Sequence, residues 1–289
     1  MTVARAIAWG RGVLSSYEFT ERSKDCEILM AYAAGRERSW ITLNRHRPLA
    51  TREFEVFRSL VFECAAGTPV QYLVGATEFF GLELKVERGV YLPKWETELL
   101  VEEALGFLET PQQSDLTWGR SLTRAVIHEV GTGSGAIAIS IAMHAPFAEI
   151  SASDVSAFAL SLARSNSRLN GVAGQIRFCH GDLQDPLAGV PDLVVANLPY
   201  IREMEVSNLP TNVRAQPRTS LLSRRSGLEH VNRLLEKLTI KPGGKVLLEI
   251  GFDQARDLQS HCSGIPKLSY ERTVKDLAGF DRVAVITAL

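Results

Sequence analysis

Residues 129–135, with the sequence Glu-Val-Gly-Thr-Gly-Ser-Gly, decide the fold of this chain. Their first two residues end an apolar run at 125–130, which predicts a buried strand. A helical pattern begins at Gly135. Glycines at such a strand-to-helix turn permit a tight bend and let a ligand approach the backbone closely. The stretch therefore predicts the ligand-binding turn of an α/β sheet.

The spacing of this glycine loop and the acid in front of it indicate the kind of ligand. The pattern Gly-x-Gly-x-Gly differs from the Gly-x-Gly-x-x-Gly of dinucleotide sites. Glu129, two residues before the first glycine, would repel a pyrophosphate because the charges have the same sign. It suits a ligand with an ammonium or sulfonium group. S-adenosylmethionine carries both groups, and it is the cofactor that we predict.

Segments of two kinds alternate after the glycine loop. Further strands are predicted at 150–154, 176–179, 193–196, 245–250, 268–274 and 282–287, with helices at 157–169, 228–238 and 254–260 between them. Strand–helix alternation predicts a mostly parallel sheet, here of seven strands, with both faces covered.

The region before this sheet differs from it in pattern. Residues up to about 73 are predicted to form a small helical bundle, and a β-hairpin follows it. The simplest role of the helical bundle is to stabilise the protein as a cap. A functional role would be to serve as a platform for a macromolecular substrate. The polar stretch 111–120 predicts an exposed loop.

Two acids follow successive predicted strands and complete the expected cofactor site. Asp154 ends the second strand and can accept both hydroxyls of a ribose, while Asp182 follows the third and can accept from an adenine amino group. Each acid alone is more often a solvated loop residue or a helix cap. At successive strand ends they indicate a ligand, with Leu183 packed on its ring. The predicted cofactor-binding residues are Glu129, Gly131, Thr132, Gly133, Ser134, Gly135, Asp154, Asp182, Leu183 and Asn197.

The turn Asn197-Leu198-Pro199-Tyr200 follows the fourth predicted strand at the same sheet edge. An asparagine before a turn that contains proline is a common signal of a turn without any functional role. An amide between apolar residues is, however, costly to bury without partners. The Asn197 oxygen and the Leu198 carbonyl form two convergent acceptors for the hydrogens of a planar nitrogen, whose lone pair would then point at the methyl donor. Tyr200 would stack on the planar group.

Composition bounds the classes of function. The formal net charge of −1 argues against a protein that grips long nucleic acid through its overall field. The four cysteines form no CxxC pair, and the histidines lack metal-ligand spacing, so we predict no metal and a reducing cytosol. No signal pattern and no apolar run near 18 residues occur, which predicts a cytoplasmic protein without a membrane partner.

Several motifs together carry a family resemblance. Besides the glycine loop, the two acids and the Asn-Leu-Pro-Tyr turn, they are Asp-Cys-Glu-Ile-Leu at 25–29, Gly-Thr-Pro-Val-Gln-Tyr-Leu-Val-Gly at 67–75, Glu-Phe-Phe-Gly-Leu at 78–82, Leu-Pro-Lys-Trp-Glu-Thr-Glu at 92–98, Gln-Pro-Arg-Thr-Ser-Leu at 216–221, Ser-Gly-Leu at 226–228 and Leu-Glu-Ile-Gly at 248–251. Across nearly its whole length the chain resembles the HemK/PrmC family of class I S-adenosylmethionine-dependent methyltransferases, which methylate N5 of a glutamine in peptide chain release factors.

The resemblance implies an organisation and a set of roles. It implies a helical substrate-recognition domain at 1–75, a β-hairpin linker at 76–92 and a Rossmann-like methyltransferase domain at 93–289. A release factor is the implied partner. The implied catalytic residues are Asn197, Pro199 and Tyr200, and the implied substrate-binding residues are these three with Leu198, Trp95 and Glu96.

The chain departs from the family pattern at a few positions. The catalytic turn is usually Asn-Pro-Pro-Tyr, and here Leu198 takes the second place. Its carbonyl is retained, so the double-acceptor interpretation stands. Lys94-Trp95 replaces Arg-Pro, Gln216 replaces a glutamate, and Glu129 replaces an aspartate. Most of these changes cluster on the expected substrate side.

Other functions stay open from the sequence. One is a divergent paralogue that methylates an amide or amine of another protein or a small molecule. Another is an RNA adenine N6-methyltransferase, for which the basic candidates are Arg214, Arg218, Arg224 and Arg225. A non-enzymatic scaffold is disfavoured because the glycines and Asn197 are all present.

Overall fold

The computed structural model describes residues 1–16, 22–109 and 125–289, so the predicted loop at 111–120 lies outside the described residues. The chain folds into two compact units. The helical unit comprises Met1–Ala76, Val86–Arg88 and Asn208–Gln216, and the sheet unit comprises Thr77–Lys85, Gly89–Ser207 and Pro217–Leu289. In the described ranges no helix is both long and apolar enough to cross a membrane.

The helical unit is built from amphipathic helices around its own apolar core. Its helices are α1 (Val3–Val13), α2 (Arg22–Ala33), α3 (Arg38–Leu43), α4 (Thr51–Ala65), α5 (Val70–Val74) and α9 (Thr211–Arg214). Phe57, Leu60, Val61 and Cys64 lie at helical spacing on α4 and are buried. The predicted helical region is therefore confirmed.

The sheet unit contains the remaining elements, except that Ala76, the first residue of β1, belongs to the helical unit. Strands β1 (Ala76–Phe79) and β2 (Leu82–Lys85) form the predicted hairpin. The other helices are α6 (Glu98–Glu109), α7 (Ala136–His144), α8 (Ala157–Leu169), α10 (Arg218–Leu221), α11 (Glu229–Lys237) and α12 (Ala255–Ser263). The other strands are β3 (Val126–Val130), β4 (Glu149–Asp154), β5 (Ile176–His180), β6 (Leu193–Ala196), β7 (Ile201–Arg202), β8 (Leu222–Ser223), β9 (Lys245–Glu249), β10 (Leu268–Lys275) and β11 (Asp281–Ala288).

Seven of these strands form the predicted mostly parallel sheet, in the order β10-β11-β9-β6-β3-β4-β5. The five strands from β9 to β5 pair in parallel, and β11 and β10 add an antiparallel edge. The α/β fold class with a helical N-terminal region is confirmed. The small parallel pair β7–β8 and the short helices α9 and α10 were not predicted, because two to four residues carry no readable periodicity.

Strand β6 shows why the sheet needs cover on both faces. Its four residues are all buried, and they alternate between two separate cores. Leu193 and Val195 belong to the core that contains α6 and α7, whereas Val194 and Ala196 belong to the core that contains α11 and α12. Full burial of each leucine or valine side chain of this strand contributes roughly 1.5–3 kcal/mol. A short apolar run bounded by turns therefore becomes a central strand.

Replacement of Gly135 by alanine should lower the free energy of unfolding by about 2 to 4 kcal/mol, which denaturant unfolding of the full chain measures. Gly135 caps α7 with φ +86°, and a Cβ there would lie 2.9 Å from Ile139 Cδ1 and 3.1 Å from Ala163 Cβ. Gly106→Ala in α6 is the matched control, since a Cβ there meets no described atom within 4 Å. We expect that control to gain about 0.5–1 kcal/mol, and equal effects at the two sites would contradict the packing interpretation.

Candidate active site

An open cavity lies at the edge of the sheet unit where β3, β4 and β6 end. It holds about 1140 Å³ of empty space, part of it open to solvent. Residues from all three strand ends line it, as expected for ligand sites of open α/β sheets. The predicted site residues in its wall are Glu129, Gly131, Thr132, Gly133, Ser134, Asp154, Asp182, Leu183, Asn197, Leu198 and Pro199.

The glycine loop makes room for the cavity by its backbone conformation. Gly131, Gly133 and Gly135 have φ values of +78°, +55° and +86°, a region that side chains rarely adopt. A Cβ at Gly131 would lie 3.0 Å from Leu198 Cδ2. The loop is held by backbone bonds, since the N–H groups of Gly131 and Thr132 both donate to the Ser153 carbonyl. The loop and the Asn-Leu-Pro-Tyr turn thus approach each other without an intervening side chain on the glycine.

Glu129 is a buried acid with one unused oxygen. Its side chain accepts from the Thr132 hydroxyl at 2.6 Å and from the Ala138 N–H at 3.2 Å, both at Oε2. Within the described residues, Oε1 is buried and has no hydrogen-bond partner. Burial raises the pKa of this carboxyl from 4.5 to about 8. A cationic donor in the cavity would satisfy the free oxygen and favour the charged form.

Asp154 and Asp182 stand at the next two strand ends, and the structure gives each of them a protein partner. The Asp154 carboxylate accepts from the backbone N–H groups of Gly133, at 2.9 Å, and Ser156, at 2.8 Å. Asp182 forms an ion pair with Arg233 at the surface. Asp154 therefore shapes the glycine loop in addition to facing the cavity, a dual use that the sequence did not indicate.

The Asn197 side chain is held from one side only. Its Nδ2 donates to the Thr97 hydroxyl at 3.1 Å. In the part of the chain that the structure describes, no donor reaches the Asn197 side-chain oxygen or the Leu198 carbonyl. Both acceptors of the predicted pair are therefore available to a ligand.

A buried carboxylate supports this turn from behind. Glu249 ends β9 with 2% exposure; its Oε2 accepts from the Thr97 hydroxyl at 2.6 Å and its Oε1 from the Tyr200 hydroxyl at 3.2 Å. Burial raises the pKa of Glu249 from 4.5 to about 7 and also raises the pKa of the Tyr200 phenol. Asn197, Thr97, Glu249 and Tyr200 thus form one hydrogen-bonded chain.

Four predicted site residues lie outside the cavity wall that the described residues form. They are Gly135, which caps α7, Tyr200, whose hydroxyl binds Glu249, and the neighbours Trp95 and Glu96. The Trp95 side chain is 52% exposed in a short 3-10 turn. Trp95 and Glu96 directly precede Thr97, which does line the cavity.

Sequence reasoning missed other residues of the wall. Thr97, Tyr91 and His230 line the cavity, and Thr97 touches Asn197 directly. Thr97 precedes Asn197 by 100 residues, so no local spacing connects the two. The only signal in the sequence was a threonine among acidic residues at the start of a helix. In the described ranges, no cluster of three His, Cys, Asp or Glu side chains could hold a metal ion.

Two family models match the chain. The first is described as the PrmC N-terminal domain and matches residues 5–75, and the second is described as the Methyltransferase small domain and matches residues 118–219.

Three relatives share most of their length with the chain, and each is named release factor glutamine methyltransferase. The protein of Moorella thermoacetica is 35% identical over 261 residues, which cover 89% of this chain and 88% of the relative. The protein of Xylella fastidiosa strain 9a5c is 34% identical, with coverage of 92% and 94%. The protein of Rhodopirellula baltica is 32% identical, with coverage of 98% and 95%.

A solved structure shares the fold. The hMettl16 catalytic domain, crystallised in complex with MAT2A 3′UTR hairpin 6, superposes with a TM-score of 0.53 over 72% of this chain and 76% of that one. The sequence identity is 17%, so the likeness concerns the fold alone. It agrees with the class I methyltransferase fold expected from the sequence.

Glu129 should make the protein less stable as the pH rises from about 4.5 to about 8. The folded carboxyl binds a proton more tightly than the unfolded one, so the stabilisation present below pH 4.5 is lost as the pH rises through about 8. Glu129→Gln removes this pH-dependent loss of stability, because a glutamine side chain does not titrate. Relative to the wild type, the variant should gain on the order of 2 to 4 kcal/mol between pH 5 and pH 8.5.

Denaturant unfolding at several pH values measures this difference. Glu55→Gln, at an exposed glutamate of α4, is the control and should follow the wild type at every pH. A constant offset between Glu129→Gln and the wild type across the range would refute the assignment.

Proposed function

Because the chain belongs to the release factor glutamine methyltransferase family, we propose that it transfers a methyl group from S-adenosylmethionine to the side-chain amide nitrogen, N5, of a glutamine in a peptide chain release factor. The observation that carries the proposal is the pair of unpartnered acceptors, Asn197 Oδ1 and the Leu198 carbonyl, at a cavity that is also lined by Glu129, whose buried Oε1 has no partner among the described residues. We propose that the reaction takes place in the cytoplasm, where release factors act in translation.

The residues of the cavity fit S-adenosylmethionine in three places. The unpaired, buried Glu129 oxygen matches the ammonium group of the methionine part. The glycine loop lets the ligand approach the backbone, and its positive φ values exclude larger side chains there. Asp154 and Asp182 offer carboxylate oxygens to the ribose hydroxyls and to the adenine amino group, with Leu183 against the ring.

The proposed reaction depends on position more than on proton transfer. S-adenosylmethionine, when bound, supplies an electrophilic sulfonium methyl group. The acceptor nitrogen is a poor nucleophile because its lone pair is delocalised into the amide carbonyl. Asn197 Oδ1 and the Leu198 carbonyl accept the two hydrogens of that nitrogen, which turns its lone pair towards the methyl group. As the new N–C bond forms, the S–CH₃ bond breaks with its electron pair on sulfur, and one of the two hydrogens leaves the nitrogen as a proton to solvent.

The remaining residues of the turn have supporting roles in the proposal. Pro199 fixes the backbone between the acceptors and Tyr200, because its ring locks φ. Tyr200 lies outside the described cavity wall, so its proposed role is to hold the end of the turn through the bond of its hydroxyl to Glu249. Trp95 and Glu96 directly precede Thr97 of the cavity wall and are proposed contacts for the substrate peptide. Residues 1–75 are proposed as the substrate-recognition domain, 76–92 as the linker and 93–289 as the catalytic domain.

Asn197→Ala should lower methyl transfer to a purified release factor by about 10²-fold or more, since one of two convergent acceptors is lost. The assay follows the labelled methyl group of S-adenosylmethionine into the protein and locates it by mass spectrometry of peptides. A release factor in which the methylated glutamine is replaced by alanine is the substrate control. Ribosomal RNA and a metabolite extract run in parallel, and labelling of either in place of the release factor would overturn the proposed substrate. Unchanged activity of Asn197→Ala would overturn the mechanism.

Glu129→Gln should weaken S-adenosylmethionine binding about 10- to 100-fold, because a charge-assisted bond to the ammonium group is lost. Isothermal titration calorimetry measures the affinity for S-adenosylmethionine and for adenosine, which lacks the ammonium group. Adenosine should bind the variant and the wild type equally. Asp185→Asn, an exposed acid of the loop that carries Asp182, is the control variant and should bind both ligands as the wild type does. An equal loss of adenosine affinity in Glu129→Gln would contradict the assignment of this carboxylate.

A further inference from the structure

The polarity of the Asn197 side chain is a requirement of the site. An amide has an oxygen at one end and an NH₂ group of nearly the same size at the other. Only the oxygen can accept a hydrogen from the substrate nitrogen. If the amide turned over, its NH₂ group would face the NH₂ group of the substrate, and neither could accept.

The contacts behind Asn197 select one of these two orientations. The Thr97 hydroxyl has a single hydrogen, and it donates this hydrogen to Glu249 Oε2, with 2.6 Å between the two oxygens. The hydroxyl oxygen can then only accept a hydrogen bond from Asn197. Asn197 Nδ2 donates to it, with 3.1 Å between Nδ2 and Thr97 Oγ1. The Asn197 oxygen is therefore left on the cavity side.

Glu249 sets the direction of this chain of bonds. As a carboxylate it can only accept, and it accepts from Thr97 at one oxygen and from Tyr200 at the other. A protonated Glu249 could instead donate to the Thr97 oxygen. The Thr97 hydrogen would then be free for the Asn197 oxygen, and the amide would be stabilised in the unproductive orientation.

Burial keeps the arrangement away from competing water. Thr97 is 3% exposed and Glu249 is 2% exposed. A buried network of this kind specifies one arrangement when every member is satisfied. The charged and titratable groups that act on Glu249 are Tyr91, Lys94, Glu96, Tyr200 and Arg282.

We propose that Thr97 and Glu249 are positioning residues that fix the polarity of the Asn197 amide, so that its oxygen faces the methyl acceptor. This inference rests on the proposed function for the identity of the acceptor, although the orientation itself is a property of the protein alone. Neither residue takes part in the transfer of the methyl group. Their effect reaches the reaction through Asn197.

Thr97→Val keeps the size of the side chain and removes its hydroxyl. We expect kcat for methyl transfer to fall about tenfold or more, with KM for the release factor and the affinity for S-adenosylmethionine changed less than twofold. Thr97→Ser restores the hydroxyl and should restore kcat. Thr287→Val is the matched control, because Thr287 makes the same type of bond to a glutamate, Glu271, at 2.8 Å and at another edge of the sheet. It should leave kcat unchanged.

The pH profile tests the direction of the bonds. In the wild type, kcat at saturating substrates should rise with pH around 7, as the Glu249 carboxyl loses its proton. Glu249→Gln should lower kcat and flatten this rise, because the amide group has no titrating form. A profile that keeps the rise in Glu249→Gln would overturn the role of this carboxylate.

A measurement without substrate separates this inference from the proposed function. The side-chain NH₂ signals of Asn197, assigned by their absence in Asn197→Ala, should shift in the ¹⁵N correlation spectrum of Thr97→Val and stay in place in Thr287→Val. Unshifted signals, or a kcat of Thr97→Val within twofold of the wild type, would overturn the positioning role and leave the proposed function standing. A wild type that labels no release factor would overturn the proposed function, while the spectra would still decide the orientation of the amide.

Discussion

The parallel pairing of β3 with β4 on one side and β6 on the other is the constraint on which the site depends. Val130, the last residue of β3, is level with Ser153 of β4 and Ala196 of β6. Asp154 follows Ser153 as the last residue of β4, and Asn197 follows Ala196 directly after the end of β6. Because parallel strands end at the same edge, three segments that are distant in sequence deliver an acid, a glycine loop and an amide to one cavity. A slip of one residue in either pairing would turn Asp154 or Asn197 to the other face of the sheet.

This constraint explains which parts of the site could be predicted from the sequence. The glycine loop, Asp154, Asp182 and the Asn-Leu-Pro-Tyr turn each follow an apolar run, so local pattern and strand direction suffice to place them together. The bond from Thr97 to Glu249 joins residues 152 positions apart, and no periodicity links them. Such partners are chosen by tertiary packing, which leaves a buried polar group no alternative in the neighbourhood. The resemblance to a known family pointed to residues 92–98 as a motif, yet it did not indicate which of its side chains would touch Asn197.

Buried carboxylates are the main electrostatic cost of the site, and the two of them are treated differently. Glu249 has both oxygens satisfied by hydroxyl groups, so its burial is compensated within the protein. Glu129 has one oxygen satisfied and the other unpartnered among the described residues. Burial without a full set of partners destabilises the ligand-free protein, and a cationic ligand removes part of that cost. The difference between the two acids therefore distinguishes a structural carboxylate from one suited to a ligand.

The leucine of the Asn-Leu-Pro-Tyr turn can be understood by the same reasoning. A proline at position 198 would restrain the turn through its ring, whereas Leu198 is restrained by packing. Its side chain is 7% exposed and belongs to the core that also contains Val130 and Leu183. The end of the turn is fixed separately, because Gln254 Nε2 donates to the Tyr200 carbonyl at 2.9 Å and its Oε1 accepts from the Gly251 N–H at 2.8 Å. Packing at one end and hydrogen bonds at the other thus restrain the backbone of the turn on both sides of Pro199. The double acceptor thus depends on the backbone at position 198 being held in place, and two different side chains can meet that requirement.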